Sequence, residues 1–110
     1  EYGMPSSTGQ ATTTNASRYL QQLCKHWSHS LAVEFTPQTG RIVFPKDNRG
    51  ASWPADAVAT LTAHPDRLEC RLDASVDEQL IGMQGVLQRH LDRFAFREAP
   101  LAIAWGPTSP

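Results

Sequence analysis

Across residues 75–98 (SVDEQLIGMQGVLQRHLDRFAFRE) apolar side chains return every three or four positions, at Leu80, Met83, Leu87, Leu91 and Phe94. That spacing puts one apolar stripe on a helix and predicts the main helix of the chain, from Ser75 to about Arg93, with its last turn loosening before Pro100. Ser75, followed three residues later by Glu78, predicts a reciprocal capping pair at its start. His90, Arg93 and Arg97 line up beside the stripe as a polar, basic face. Gly82 and Gly85 oppose the helix, each costing roughly 1 kcal/mol against alanine. A helix that carries both needs tertiary packing to persist, or something lies too close there for a side chain.

An earlier stretch repeats the helical period. Tyr19, Leu20, Leu23, Cys24 and Trp27 share one face, and Asn15 is placed to cap it, so helix one is predicted over Ala16–Ser28. From Leu31 the period becomes two. Leu31, Val33 and Phe35 alternate with polar or small residues, Pro37 to Gly40 makes a turn, and Arg41–Phe44 answers as a hairpin partner that buries Ile42 and Phe44. Lys46–Gly50 is a further turn, Ala51–Trp53 a short strand stopped by Pro54, and Val58–Ala63 with Leu68–Ala74 another hairpin. Ala11–Thr14 could form a short edge strand, and Leu101–Trp105 closes the chain with a final alternating strand. Hairpins rather than βαβ crossovers join the middle strands. The fold class expected is therefore α+β, an antiparallel sheet of five to six strands with two helices packed on one face. Residues 1–10 are expected to be a flexible N-terminal segment, 11–105 a single domain, and 106–110 a C-terminal tail.

Composition narrows function by exclusion. With 10 Lys and Arg against 11 Asp and Glu the formal net charge is −1, which makes no case for nucleic acid or an anionic membrane as partner. No apolar run approaches the roughly 20 residues of a membrane span, and no charged-then-apolar leader opens the chain. Cys24 and Cys70 do not make a disulfide framework, so a cytoplasmic location is expected. Glycine-rich phosphate loops, H-E-x-x-H, C-x-x-C and G-x-S-x-G are all absent, and no cofactor is predicted.

Two constellations could carry chemistry. His26, His29 and His90 could converge as a metal set if both helix C-termini lie at one end of the sheet, with Cys24 and Cys70 the only other soft ligands. Imidazoles in a last helical turn are equally well explained by the carbonyls and negative dipole end beside them. The second constellation is basic. Arg89, Arg93 and Arg97 stand four apart, and Arg18 falls in the first turn of helix one, where a cation opposes the dipole. Arg18 is therefore expected to pair with Asp92 or Glu98, or to face an anionic ligand; Arg18, His26, His90, Arg93 and Arg97 would then border a cleft between the helices. Trp27, Phe94, Phe96, Tyr19 and Trp105 are core residues or the lining of a cavity.

Ser17-Arg18-Tyr19-Leu20 with Leu23-Cys24-Lys25-His26-Trp27 and His29 resembles the front motif of a bacterial family called Domain of Unknown Function 2218. Gly40-Arg41-Ile42-Val43-Phe44 is similar to that family's hairpin, and His90-Leu91-Asp92-Arg93-Phe94-Ala95-Phe96-Arg97-Glu98 to its closing motif, so the resemblance spans about Ala11 to Trp105. Ser30 stands where the family pattern usually has lysine. The resemblance implies a small bacterial α+β domain without an established activity. Because some members stand beside siderophore-interacting reductases, it also implies an accessory part in iron handling. Three readings follow: a structural or interaction module, as a homodimer or with a reductase partner; a module that binds a small anion or ferric chelate in the Arg/His cleft; and a histidine-based metal site. A non-enzymatic role is favoured over an enzymatic one.

Overall fold

The computed structural model describes residues 4–47, 50 and 52–109. Six strands form one sheet in the order β2-β3-β4-β5-β1-β6, with every pairing antiparallel. They are β1 (Ser6–Thr12), β2 (Ala32–Phe35), β3 (Thr39–Phe44), β4 (Ala57–Ala63), β5 (Arg67–Asp73) and β6 (Ala104–Trp105). Helix α1 (Ala16–Ser28) packs on β2 to β5, and α2 (Asp77–Phe94) on β4, β5 and α1. The α+β sheet with two helices is as the periodicities dictate.

Strand alternation decides which face the helices cover. Gly40, Leu61, Cys70 and Gly9 stand opposite one another across β3, β4, β5 and β1, as do Ile42, Ala59, Leu72 and Ser7 in the next row. Those positions are buried, and Leu20, Leu23, Cys24, Leu80, Leu87 and Leu91 come down on them from the helices. The opposite face carries the row Glu34, Arg41, Thr60, Arg71 and Thr8 and faces solvent. Two glycines set how closely the layers approach. A Cβ on Gly40 would lie 2.6 Å from Cys24 Sγ, and one on Gly9 would lie 2.5 Å from Ile103 and 2.7 Å from the Trp105 ring.

Element boundaries depart from the sequence reading in four places. β1 begins at Ser6, inside the segment expected to be flexible, because its register with β5 runs from Ser6↔Asp73 to Thr12↔Arg67. At the other end of the chain Ser109 bridges to Ser6, and Gly106 N–H donates to Thr8 O at 2.9 Å. α2 starts at Asp77 with Val76 as its cap, and the Ser75–Glu78 pair does not form. Instead the buried Gln79 accepts from both Ser75 N–H and Ser75 Oγ and donates to Ala55 O, a reach that the exposed Glu78 lacks.

The final strand is two residues long. Gln88 takes the backbone of the approach to it, accepting from Ile103 N–H at 2.7 Å and donating to Leu101 O at 3.0 Å. Of the turn expected at Lys46–Gly50 and the strand expected at Ala51–Trp53, residues Asn48, Arg49 and Ala51 lie outside the described residues, while Ser52 and Trp53 join no strand. Among the described residues no helix is long and apolar enough to cross a membrane.

Replacing Gly9 with alanine forces a Cβ into Ile103 and Trp105. The expected cost is about 1–3 kcal/mol, as for other overpacked cores. Thermal unfolding would show it as a loss of several degrees; an unchanged midpoint would mean that β6 and its approach give way freely.

Candidate functional site

α1 is amphipathic, so burying Tyr19, Leu20, Leu23 and Cys24 against the sheet turns Trp27, in its last turn, toward β3 and α2. The Trp27 ring meets Phe44 edge-on, with centroids 5.1 Å apart, and His90 at 4.6 Å. His26 lies 5.1 Å from His90 and 5.9 Å from Phe94. A continuous stack of rings thus runs from the sheet, across the end of α1, to α2.

Beside this stack opens a cavity of about 660 Å³, within the range of small-molecule sites. Trp27, Phe44, Trp53 and Met83 give it apolar and aromatic walls, and His26, His90 and Arg89 add its ionisable groups. Among the described residues no carboxylate lines it. His90 Nδ1 lies 2.8 Å from the carbonyl of Val86, and a carbonyl can only accept, so Nδ1 carries the proton. Nε2 is left as the nitrogen that can accept a hydrogen bond or bind a further group. Arg89 has no carboxylate within ion-pair distance among the described residues.

The five residues expected to share one cleft separate into two places. His26 and His90 meet in the large cavity. Arg18 and Arg97 line a smaller hollow of about 230 Å³ with Tyr19, Gln22, Phe94 and Phe96. Arg93 lines neither, its guanidinium lying 5.9 Å from the Phe94 ring. Two geometric facts divide them. Eight residues of helix set Arg18 about 12 Å from His26 along the axis. α2 ends at Phe94 and a 3-10 turn takes Phe96–Glu98, so Arg97 leaves the register that Arg89 and Arg93 share.

His26 and His90 are not joined by His29, which is exposed at the C-cap of α1. No group of three or more His, Cys, Asp or Glu side chains able to hold a metal exists among the described residues. Cys24 and Cys70 are buried, and burial pushes their thiols up to about 11 and about 12. Trp53 belongs to the cavity but not to the residues singled out from sequence, whereas of the Arg89, Arg93 and Arg97 series only Arg89 lines it. Gln79, Gly82, Val86, Arg89 and His90 flank the core stripe of α2 on one side and share Met83 with it.

Residues 8–106 match the family model described as an uncharacterized protein conserved in bacteria, DUF2218. The chain belongs to that family. The fold is similar to the NMR structure of PA4090 from Pseudomonas aeruginosa. The two are 36% identical with a TM-score of 0.71, over 94% of this chain and 97% of that one. No curated protein matches the chain.

In this DUF2218 chain the acidic residue of the closing motif is a structural tie. The ion pairs expected between Arg18 and Asp92 or Glu98 are not among those the described residues form. Asp92 accepts from Gln88 one turn earlier, at 2.8 Å. Glu98 accepts from Tyr19 OH, from Asn15 Nδ2 at 3.0 Å and from Thr13 Oγ1 at 2.8 Å, fastening the end of α2 to the start of α1. Asn15 therefore spends its side chain on Glu98 and makes no side-chain cap to α1.

These donors, Tyr19 foremost and then Asn15 and Thr13, hold the Glu98 carboxyl below its ordinary 4.5. Burial first, and then the bond and charge of Glu98, raise the Tyr19 phenol above its ordinary 10.0. A carboxyl depressed on folding adds stability that is complete above its unfolded value and lost as pH falls through the folded one. Urea unfolding between about pH 7 and pH 3 should therefore lose stability below about pH 4.5. Glu98→Gln should start lower by about 1–2 kcal/mol and flatten that acid limb. Parallel limbs in the two proteins would place the acid sensitivity elsewhere.

Proposed function

We propose that this chain is a non-enzymatic binding module whose cavity beside the α1–α2 contact accepts a small anionic molecule. The observation that carries this reading is the sign of the lining. Among the described residues the exposed Arg89 lines the cavity without a counter-ion, His90 offers Nε2 beside it, and no acidic side chain lines the same space. An unpaired guanidinium at the mouth of a partly apolar hollow favours an anion, and its planar fork suits carboxylate or phosphate. Recognition draws the greater support, since among the described residues neither a carboxylate nor a thiol lines the cavity to work beside the imidazoles.

The iron association implied by the family resemblance puts ferric chelates among the ligands to test, as whole anions held by Arg89 and the imidazoles. Two imidazoles without a third ligand make a poor site for a bare metal ion. The interaction reading draws less support. The open sheet face is a polar ladder of Glu34, Arg41, Thr60, Arg71 and Thr8, whereas protein interfaces usually centre on buried apolar residues.

Trp27 and Trp53 lie in the cavity wall and serve as reporters. Titration with benzoate, inorganic phosphate, citrate and ferric citrate, followed by tryptophan fluorescence and thermal shift, should show saturable binding of at least one anion. Arg89→Ala should weaken that binding roughly tenfold, the value of one charge-assisted hydrogen bond, and leave the unliganded midpoint in place. A flat response of the wild-type protein to all four anions would overturn the reading.

A further inference from the structure

Resting on that reading of the cavity, we infer that its ligand is a planar aromatic anion lying against the bare backbone of α2 at Gly82, which sets specificity for a flat body. The inference starts from a conflict in the helix. Glycine inside a helix is unfavourable through backbone entropy, and α2 carries two, at Gly82 and Gly85. Glycines elsewhere are explained by what touches them: Gly9 by Ile103 and Trp105, and Gly40 by Cys24. At Gly82 a Cβ would meet no atom within 4 Å. Gly82 is exposed, and among the described residues no contact requires the missing side chain.

Gly82 is nonetheless a wall of the cavity. It lies in the middle of the stripe Gln79, Met83, Val86 and Arg89, with Trp27, Phe44 and Trp53 also in the lining. A side chain there would take room from the space that the aromatic walls enclose. Flat groups against aromatic faces gain offset or edge contacts, and backbone left bare by glycine admits the closest approach. Gly85 has its own reason, for a Cβ there would lie 3.1 Å from Arg89 Nη1. The guanidinium folds back over Gly85, one helical turn from Gly82. The bare helix surface and the cation are thus adjacent, as the two ends of an aromatic carboxylate require.

The test compares 2-naphthoate with cyclohexanecarboxylate and acetate, which share the charge and lack the extended flat ring. Wild-type protein should bind 2-naphthoate at least tenfold more tightly than cyclohexanecarboxylate, read by tryptophan quenching and calorimetry. Gly82→Ala should raise the unfolding midpoint by roughly 2–6 °C, as removal of a helix glycine does, while weakening 2-naphthoate several-fold. Gly82→Leu should abolish naphthoate binding and keep a cooperative transition. Acetate, small enough to need only Arg89, should be affected least.

Equal affinity for flat and puckered carboxylates, or undiminished naphthoate binding by a folded Gly82→Leu, would overturn the inference and leave the anion site standing. Failure of wild-type protein to bind any carboxylate would bring down the site itself. A lowered midpoint for Gly82→Ala would show that the protein already uses that space.

Discussion

The contact on which the assembly turns is that of Trp27 with its three neighbours. The side chain is 6% exposed and touches Phe44 of the sheet, His90 of α2 and His26 of its own helix. Aromatic pairs at these separations contribute about 0.5–1.5 kcal/mol each beyond the area they bury. More consequential is where they act. α1 and α2 both need the same sheet face, and the indole decides how far apart their ends stand. A smaller residue would let α2 settle onto α1, and the cavity beside them would narrow.

Glu98 makes the complementary tie at the other end of α1. It receives Tyr19, Asn15 and Thr13 from around the first turn of that helix. One helix is thereby held twice, through charge-assisted hydrogen bonds at its start and through rings at its end. The two ties differ in what they leave over. At the Glu98 end the donors and the acceptor use one another up. At the Trp27 end the ring stack consumes apolar surface and leaves polar capacity in His90 Nε2 and Arg89. Surplus hydrogen-bonding capacity beside a hollow marks a place for something else to bind, whereas a satisfied cluster marks a fastening.

Much of this is written in the period of the chain. α1 falls on Ala16–Ser28, as its apolar spacing and the Asn15 boundary predict, because its stripe and the sheet face have one mutual solution. The meeting of His26 with His90 was legible too, since antiparallel hairpins put both helices on one face and bring those turns near. What the sequence concealed is chiefly what happens at the ends of elements. Asn15 looks like a cap yet donates to a carboxylate 83 residues away, a competition that no local pattern contains. Arg97 looks like a continuation of the Arg89–Arg93 series until the helix gives way to a 3-10 turn before it. Trp53 reaches the cavity wall from a non-strand position, its N–H on Lys46 O at 2.9 Å, a pairing that no period of the sequence contains.

The glycines show how local and global demands can be told apart. A natural sequence agrees with its fold at most positions, and disagreement tends to collect at functional sites. Gly9 and Gly40 resolve on inspection, because β6 and its approach lie too close to the first, and α1 to the second, for any side chain, and the entropy cost is offset by packing. Gly85 has a neighbour in Arg89, whose Nη1 would lie 3.1 Å from a Cβ there. Gly82 alone of these four touches nothing within the protein that would explain it. It also shares a wall with the rings and the cation that the rest of the fold leaves uncommitted. A helix glycine with no packing cause among the described residues, placed among groups with unspent capacity, is more economically assigned to an external molecule than to folding.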